Sequence, residues 1–372
     1  MARRARAAPD LLIEGSKPPP DRDVGLDVAR GLLMAWIVIV IHGIFWLGIA
    51  PRDIGALLLF EMPPIFMITG AAYFLAEGAR KERLTVGAYL DFLLRRGVRI
   101  YLPYLVYVLA AALVVTFIGW DGAFSWQEAW ARLSSWINPA ARGAGQTWNM
   151  LSWHLWFIAP FILVTALLPF LTALRPPQFV KPWMLVCGGV PLMLALDTVH
   201  LAAPFDDQIV KHTIFYALWT MFGFMLAAAP RRWSVGDYRI ALALALAGMA
   251  GALVLLPGEV SLDMQANKFP PNTMFFLFSS VWMMALLIAA RGISEGRLQA
   301  LARSSLLKPF MTAGYSIYLW QGMGYSLAAF AGSGLGAGKY VIWIAAVVLT
   351  IALGLLFAPL ERVRLPKRAR PA

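Results

Sequence analysis

Residues 26–46 read LDVARGLLMAWIVIVIHGIFW. The eleven residues between Arg30 and His42 carry no charge on any helical face. A helix on a soluble domain shows a polar face every three or four residues. This one does not, and with its flanks it is long enough to cross a bilayer core, which takes about 20 apolar residues. Lipid offers no hydrogen bonds to a backbone, so such a segment satisfies itself as a helix. A window of about 19 residues moved along the chain predicts ten apolar helices: 28–49, 54–77, 97–118, 152–173, 183–200, 211–229, 239–257, 272–290, 309–331 and 339–360. The expected fold class is all-α, a polytopic membrane helix bundle of about ten transmembrane helices.

Composition agrees with that reading. Of 372 residues, 60% are hydrophobic and 14% charged, and mean hydropathy is +0.67. Soluble domains carry about 25% charged residues, so this surface cannot face water everywhere. The net charge is +12. In a soluble protein that excess would point to nucleic acid. Here it follows the cytoplasmic bias of Lys and Arg, and no nucleic-acid partner is expected. Cys187 stands alone, which excludes an internal disulfide and a Cys-based metal site. The four histidines show no H-E-x-x-H spacing, so no metal is expected, and no G-x-x-x-x-G-K-[ST] loop is present.

Charge also predicts orientation. With the N-terminus inside, 25 Lys and Arg fall in cytoplasmic segments and 6 outside, with Arg30 within the first span. That asymmetry places both termini in the cytoplasm. The chain divides into a disordered basic arm (1–24), an integral membrane domain (25–361) and a basic tail (362–372). The long outer loop at 119–151 contains Trp120, Trp126, Trp130, Trp136 and Trp148. It reads as an amphipathic helix at the interface, and as an aromatic platform for a sugar ring.

Ionisable residues inside spans are the candidates for chemistry, because lipid makes them costly. Arg30 lies one turn inside the cytoplasmic end of the first span, and His42 about 18 Å further along the axis. A neutral imidazole there can take a proton from a hydroxyl, or merely bond a neighbouring helix. Glu61, beside Pro63 and Pro64 at the outer end of the second span, is placed to orient His42 or another cavity group. Arg95, Arg96 and Arg99 form a basic cluster that suits a positive-inside anchor or the phosphates of a nucleotide-bearing donor. His154, flanked by Trp153 and Trp156, is a candidate second catalytic or acceptor-binding group. Tyr315, Ser316, Tyr318 and Gln321 gather hydrogen-bonding groups in the ninth span. NKFPPNTMFFLF at 267–278 marks a Pro-Pro break at an outer helix start. His200 and His212 are read as outer-loop residues.

Taken in order, these pieces resemble the acyltransferase family 3 membrane proteins. The matching elements are Arg30 and His42 on one helix, Phe66–Gly70 for F-x-x-S-G, Arg95–Pro103 for R-R-x-x-R-x-x-x-P, His154–Phe157 for H-L-W-F, and Tyr315–Leu319 for Y-S-I-Y-L. The most similar branch is that of the glucan O-succinylating and related O-acyltransferases. The resemblance implies transfer of an acetyl or succinyl group from cytoplasmic acyl-CoA to a hydroxyl of a cell-surface or exported glycan or glycolipid. It implies a multi-pass protein of the cytoplasmic membrane with no permanently bound cofactor. It implies His42 as general base with Arg30 supporting the site; by their positions in the sequence Glu61 and His154 are further catalytic candidates, and Arg95, Arg96 and Arg99 donor-binding ones. Trp153, Trp156, Tyr315, Tyr318 and Gln321 are then the acceptor-binding candidates. A transporter or flippase for a glycan or lipid-linked sugar is the alternative. Two departures stand out. The family has ten residues between Arg and His; here there are eleven. A +11 step leaves two residues about 20° apart on a helix and a +12 step about 120°. Either a π-bulge absorbs the extra residue or the two do not cooperate directly. Second, many relatives carry a His just after Y-S-I-Y-L; this chain has Trp320-Gln321, and Gln is no base near pH 7.

Overall fold

The computed structural model describes residues 23–78, 85–118, 125–140, 148–173, 179–201, 206–228, 233–255, 260–363 and 365. The basic arm, Trp120 and most of the tail lie outside them. The described residues form an all-α bundle with no named strand, only an isolated bridge between Lys268 and Pro271.

Helix α1 spans Val24–Leu47. Asp23 starts it by accepting from the Leu26 amide, and Gly48, at φ 62°, ends it in the left-handed conformation that glycine adopts without strain. At 24 residues it is about 36 Å long, enough to cross a core of about 30 Å. Its middle, Trp36–Ile41, is a π-helix. The eleven-residue gap therefore resolves as a π turn, the local geometry that takes in one extra residue.

Helix α2 (Arg52–Ala56) is a single turn, and α3 (Met62–Tyr73) follows after a short irregular link. The continuous span expected over 54–77 is thus divided. Pro63 and Pro64 sit in the first turn of α3, where a missing N–H costs nothing. Helix α4 (Val86–Ile118) starts eleven residues earlier than expected, so the arginine cluster lies on a helix and not in a loop. Helix α5 (Trp126–Ile137) is the amphipathic element of the long outer segment. Ser125 caps it, Trp136 is buried, and Trp126 and Trp130 are exposed. The H-L-W-F element does not open an α-helix. It forms the 3-10 turn Leu155–Phe157, preceded by another at Asn149–Leu151, ahead of α6 (Ile158–Ala173).

The second half contains α7 (Pro182–Thr198), α8 (Asp207–Ala228), α9 (Val235–Leu255), α10 (Met264–Asn267), α11 (Thr273–Arg291), α12 (Glu295–Arg303), α13 (Lys308–Thr312), α14 (Gly314–Gly334) and α15 (Lys339–Phe357). Each of the ten expected segments finds a helix. Seven of these are long and apolar enough to cross a membrane; Met62–Ala76 and Pro182–Thr198 are shorter, and Gly314–Gly334, with 21 residues, is not among the seven. His212, expected in a loop, is buried within α8, where its Nδ1–H donates to the Gln208 carbonyl over 2.7 Å.

Helices α3 and α8 meet at two glycines. A methyl group on Gly70 would lie 1.9 Å from the Thr220 carbonyl oxygen, and one on Gly223 would lie 1.8 Å from that of Met67. Only glycine at both positions lets the backbones come this close. That contact, with stacked Phe66 and Tyr216, anchors α3 beneath the cavity described next.

Candidate functional site

A cavity of about 920 Å³ collects side chains from α1, α2, α3, the H-L-W-F segment, α10 and α14. It is within the range of small-molecule sites, roughly 300–1,000 Å³. His42, Glu61, Trp153, Trp156 and Tyr318 line it, together with Trp46, Arg52, Lys268 and Phe269.

His42 is the first residue after the π turn. Its backbone N–H reaches back five residues to the Ile37 carbonyl, bypassing that of Val38. The Tyr325 hydroxyl of α14 donates to the Val38 carbonyl over 2.5 Å, and Trp343 Nε1 of α15 donates to the Ile39 carbonyl over 2.9 Å. Two neighbouring helices thus hold the π turn in place, a common arrangement where a turn of this kind re-aims a side chain. An inserted residue taken up this way leaves Arg30 and His42 separated by the equivalent of eleven α-helical steps, about 20° apart.

The His42 imidazole is held on two sides. Nδ1–H donates to Gln321 Oε1 over 2.7 Å, and Trp46, one turn on, stacks parallel to the ring at 4.0 Å and 18°. With Nδ1 carrying the proton, Nε2 carries the lone pair. Gln321 is fully buried and outside the cavity lining, so it touches the His42 imidazole and not the cavity. Its Nε2 has no hydrogen-bond partner.

Glu61 bonds Lys268 and not His42: Lys268 Nζ donates to Glu61 Oε1 over 2.6 Å, and both side chains are 4% exposed. Lys268 comes from the NKFPPN segment. There Asn267 donates to the Ser261 carbonyl, Asn272 donates to Asn267 Oδ1, and Asn272 Oδ1 caps α11. This tight connection turns Lys268 inward, against the faces of Trp156 and Phe269.

Other expected site residues lie elsewhere. His154 is buried and does not line the cavity; its Nε2–H donates to the Leu319 carbonyl over 2.9 Å. The Tyr318 hydroxyl donates to the His154 carbonyl over 2.8 Å, so it has used its proton. Gly322 leaves the room for this junction, since a methyl group there would lie 2.4 Å from the Tyr107 hydroxyl. The Tyr315 hydroxyl donates to the Ile100 carbonyl of α4 over 2.7 Å, away from the cavity. Arg30 lies 3.6 Å from Asp27. Arg95 pairs with Asp91, Arg96 lies over the Phe92 ring, and Arg99 Nε donates to the Glu361 carbonyl over 3.2 Å. None of these four arginines lines the cavity.

Sequence reasoning overlooked Lys268, Trp46, Tyr325 and Trp343. Trp46 stands four residues after His42, and Tyr325 four after Gln321, so helical spacing alone puts each beside a site residue. Lys268 was counted only as an outer charge, although it sits within the quoted Pro-Pro break.

The arrangement puts one imidazole with an open Nε2, one ion pair and three tryptophans around a single cavity. A family model described as an acyltransferase domain matches residues 23–359. No curated protein and no solved structure matches the chain.

Proposed function

Because the chain belongs to the acyltransferase family 3, and is thereby a membrane acyltransferase, we propose that it moves an acetyl or succinyl group from cytoplasmic acyl-CoA to a hydroxyl of a cell-surface or exported glycan. The observation that carries this reading is His42: it lines the large cavity, and its Nδ1–H is held by Gln321, which leaves Nε2 as a proton acceptor.

In this mechanism an acceptor hydroxyl donates its proton to His42 Nε2 as its oxygen attacks the thioester carbonyl carbon. The tetrahedral intermediate collapses, the carbon–sulfur bond breaks, and the imidazolium returns the proton to the departing thiolate sulfur. The product is an ester and a free thiol. Gln321 keeps the imidazole in the productive tautomer, the part that an orienting group plays in acyl-transfer triads. Trp46 fixes the ring plane. Trp153 and Trp156 offer apolar faces to the acceptor. Arg30, Arg95, Arg96 and Arg99 lie outside the cavity lining and would hold the donor's phosphates. The excess of basic residues in alternate loops supports placing that end, and both termini, in the cytoplasm of a cell whose inner membrane the chain spans.

Mass spectrometry of surface and exported glycans with and without the gene tests the proposal. It predicts loss of an acetyl or succinyl mass increment from one glycan when the gene is deleted, restored by the wild-type gene. Identical glycan masses in both strains would contradict it.

A further inference from the structure

The Glu61–Lys268 pair is unlike the other ion pairs among the described residues. Its two side chains are buried within the cavity wall, and they come from different rigid elements, the N-terminal end of α3 and the tight NKFPPN connection. A buried ion pair is a poor source of stability, since apolar residues of similar volume serve as well or better. This one is retained in the wall of a cavity. Glu61 Oε2 has no hydrogen-bond partner. An ammonium has three N–H groups, and one of those on Lys268 is taken by Glu61 Oε1.

We propose that this pair is a subsite for two adjacent hydroxyls of a pyranose ring. One hydroxyl donates to Glu61 Oε2, and its neighbour accepts from Lys268 Nζ. The charges of the pair cancel, so an anion gains little there, whereas a neutral diol finds one acceptor and one donor side by side. The Trp156 and Phe269 rings lie 5.2 Å and 5.7 Å from Lys268 Nζ, and they offer apolar surface to the C–H face of the same ring. The inference rests on the reading of the acceptor as a glycan, and it gives the acceptor a handhold separate from the base at His42.

Saturation-transfer NMR on the full chain in lipid nanodiscs tests it with two probes. One is methyl α-mannopyranoside. The other is its 3-deoxy analogue, which keeps hydroxyls but no adjacent pair. The wild-type protein is expected to give a saturable ring-proton signal with the first, and one weaker by about five-fold with the second, the size of one lost hydrogen bond. The Glu61→Gln/Lys268→Met variant removes the pair without leaving an unpaired charge, and is expected to lose the preference. A wild-type chain that does not separate the two sugars, or that shows no saturable signal, overturns the subsite. So does a folded double variant that still separates them. The wild-type comparison stands whether or not the double variant folds. Because the readout is binding, it also stands apart from acyl transfer: a chain that prefers the diol but transfers no acyl group keeps the subsite and removes the enzymatic reading, and the converse result does the opposite.

Discussion

At the scale of single residues, the proposed chemistry rests on the pair His42 and Gln321. Loss of the Oε1 acceptor would leave a buried N–H unsatisfied and free the imidazole to change tautomer. Gln321→Leu is expected to lower kcat about ten- to hundred-fold with little change in KM, whereas Gln321→Glu, which keeps an acceptor at that place, is expected to retain most activity. Steady-state kinetics in purified membranes distinguishes these outcomes; equal losses in the two variants would mean that Gln321 only fills space. His42 was legible from the sequence as an ionisable residue within an apolar run. The role of Gln321 was not. Its amide offers no chemistry of its own, and its meaning comes from a partner 279 positions away. Glu61 shows the opposite failure. The sequence marked it as costly to bury, but its partner lay in a segment that hydropathy places outside the bilayer, so Lys268 went unnoticed.

At the scale of elements, the π turn of α1 is the feature on which the site geometry depends. The count of residues between Arg30 and His42 made it one of two expected outcomes, because helical periodicity turns a single insertion into a shift of about 100°. Deleting Ile39 is therefore expected to let α1 relax into a continuous α-helix that still presents His42 to the cavity. It should retain more activity than Tyr325→Phe or Trp343→Phe, each of which releases a carbonyl that the π turn needs held. Comparable activity of the three variants in an acyl-transfer assay would argue against this account. Helix boundaries were less legible. The early start of α4 and the late start of α6 arise where apolar content does not change: one helix extends past the lipid-facing stretch, and the other is delayed by 3-10 turns that hydropathy cannot separate from an α-helix. The α3–α8 contact offers a stability test. Gly70→Ala forces a methyl group against the Thr220 carbonyl and is expected to cost about 1–3 kcal/mol. That would be read as a lower Tm in a thermal-shift assay; an unchanged Tm would mean the helices separate freely.

At the scale of the whole molecule, the described residues form a helical bundle whose cavity is lined by His42 and Arg52 but not by Arg30, Arg95, Arg96 or Arg99. The charge asymmetry that predicts orientation can be checked on a background with Cys187→Ser. A cysteine at position 52, beside the cavity mouth, is expected to react with an impermeant thiol reagent added outside intact cells. One at position 96 is expected to react only after lysis. The reverse pattern would invert the topology and place the acceptor on the wrong side. The central claim is narrower than topology: one imidazole in that cavity takes the proton from the acceptor. The most direct measurement is transfer of radiolabel from acetyl-CoA or succinyl-CoA to a glycan extract by membranes containing the wild-type chain or His42→Ala at equal expression. Label in a base-labile glycan ester is expected for the wild type, and a loss of at least about a hundred-fold for the variant. Equal labelling by both would contradict it.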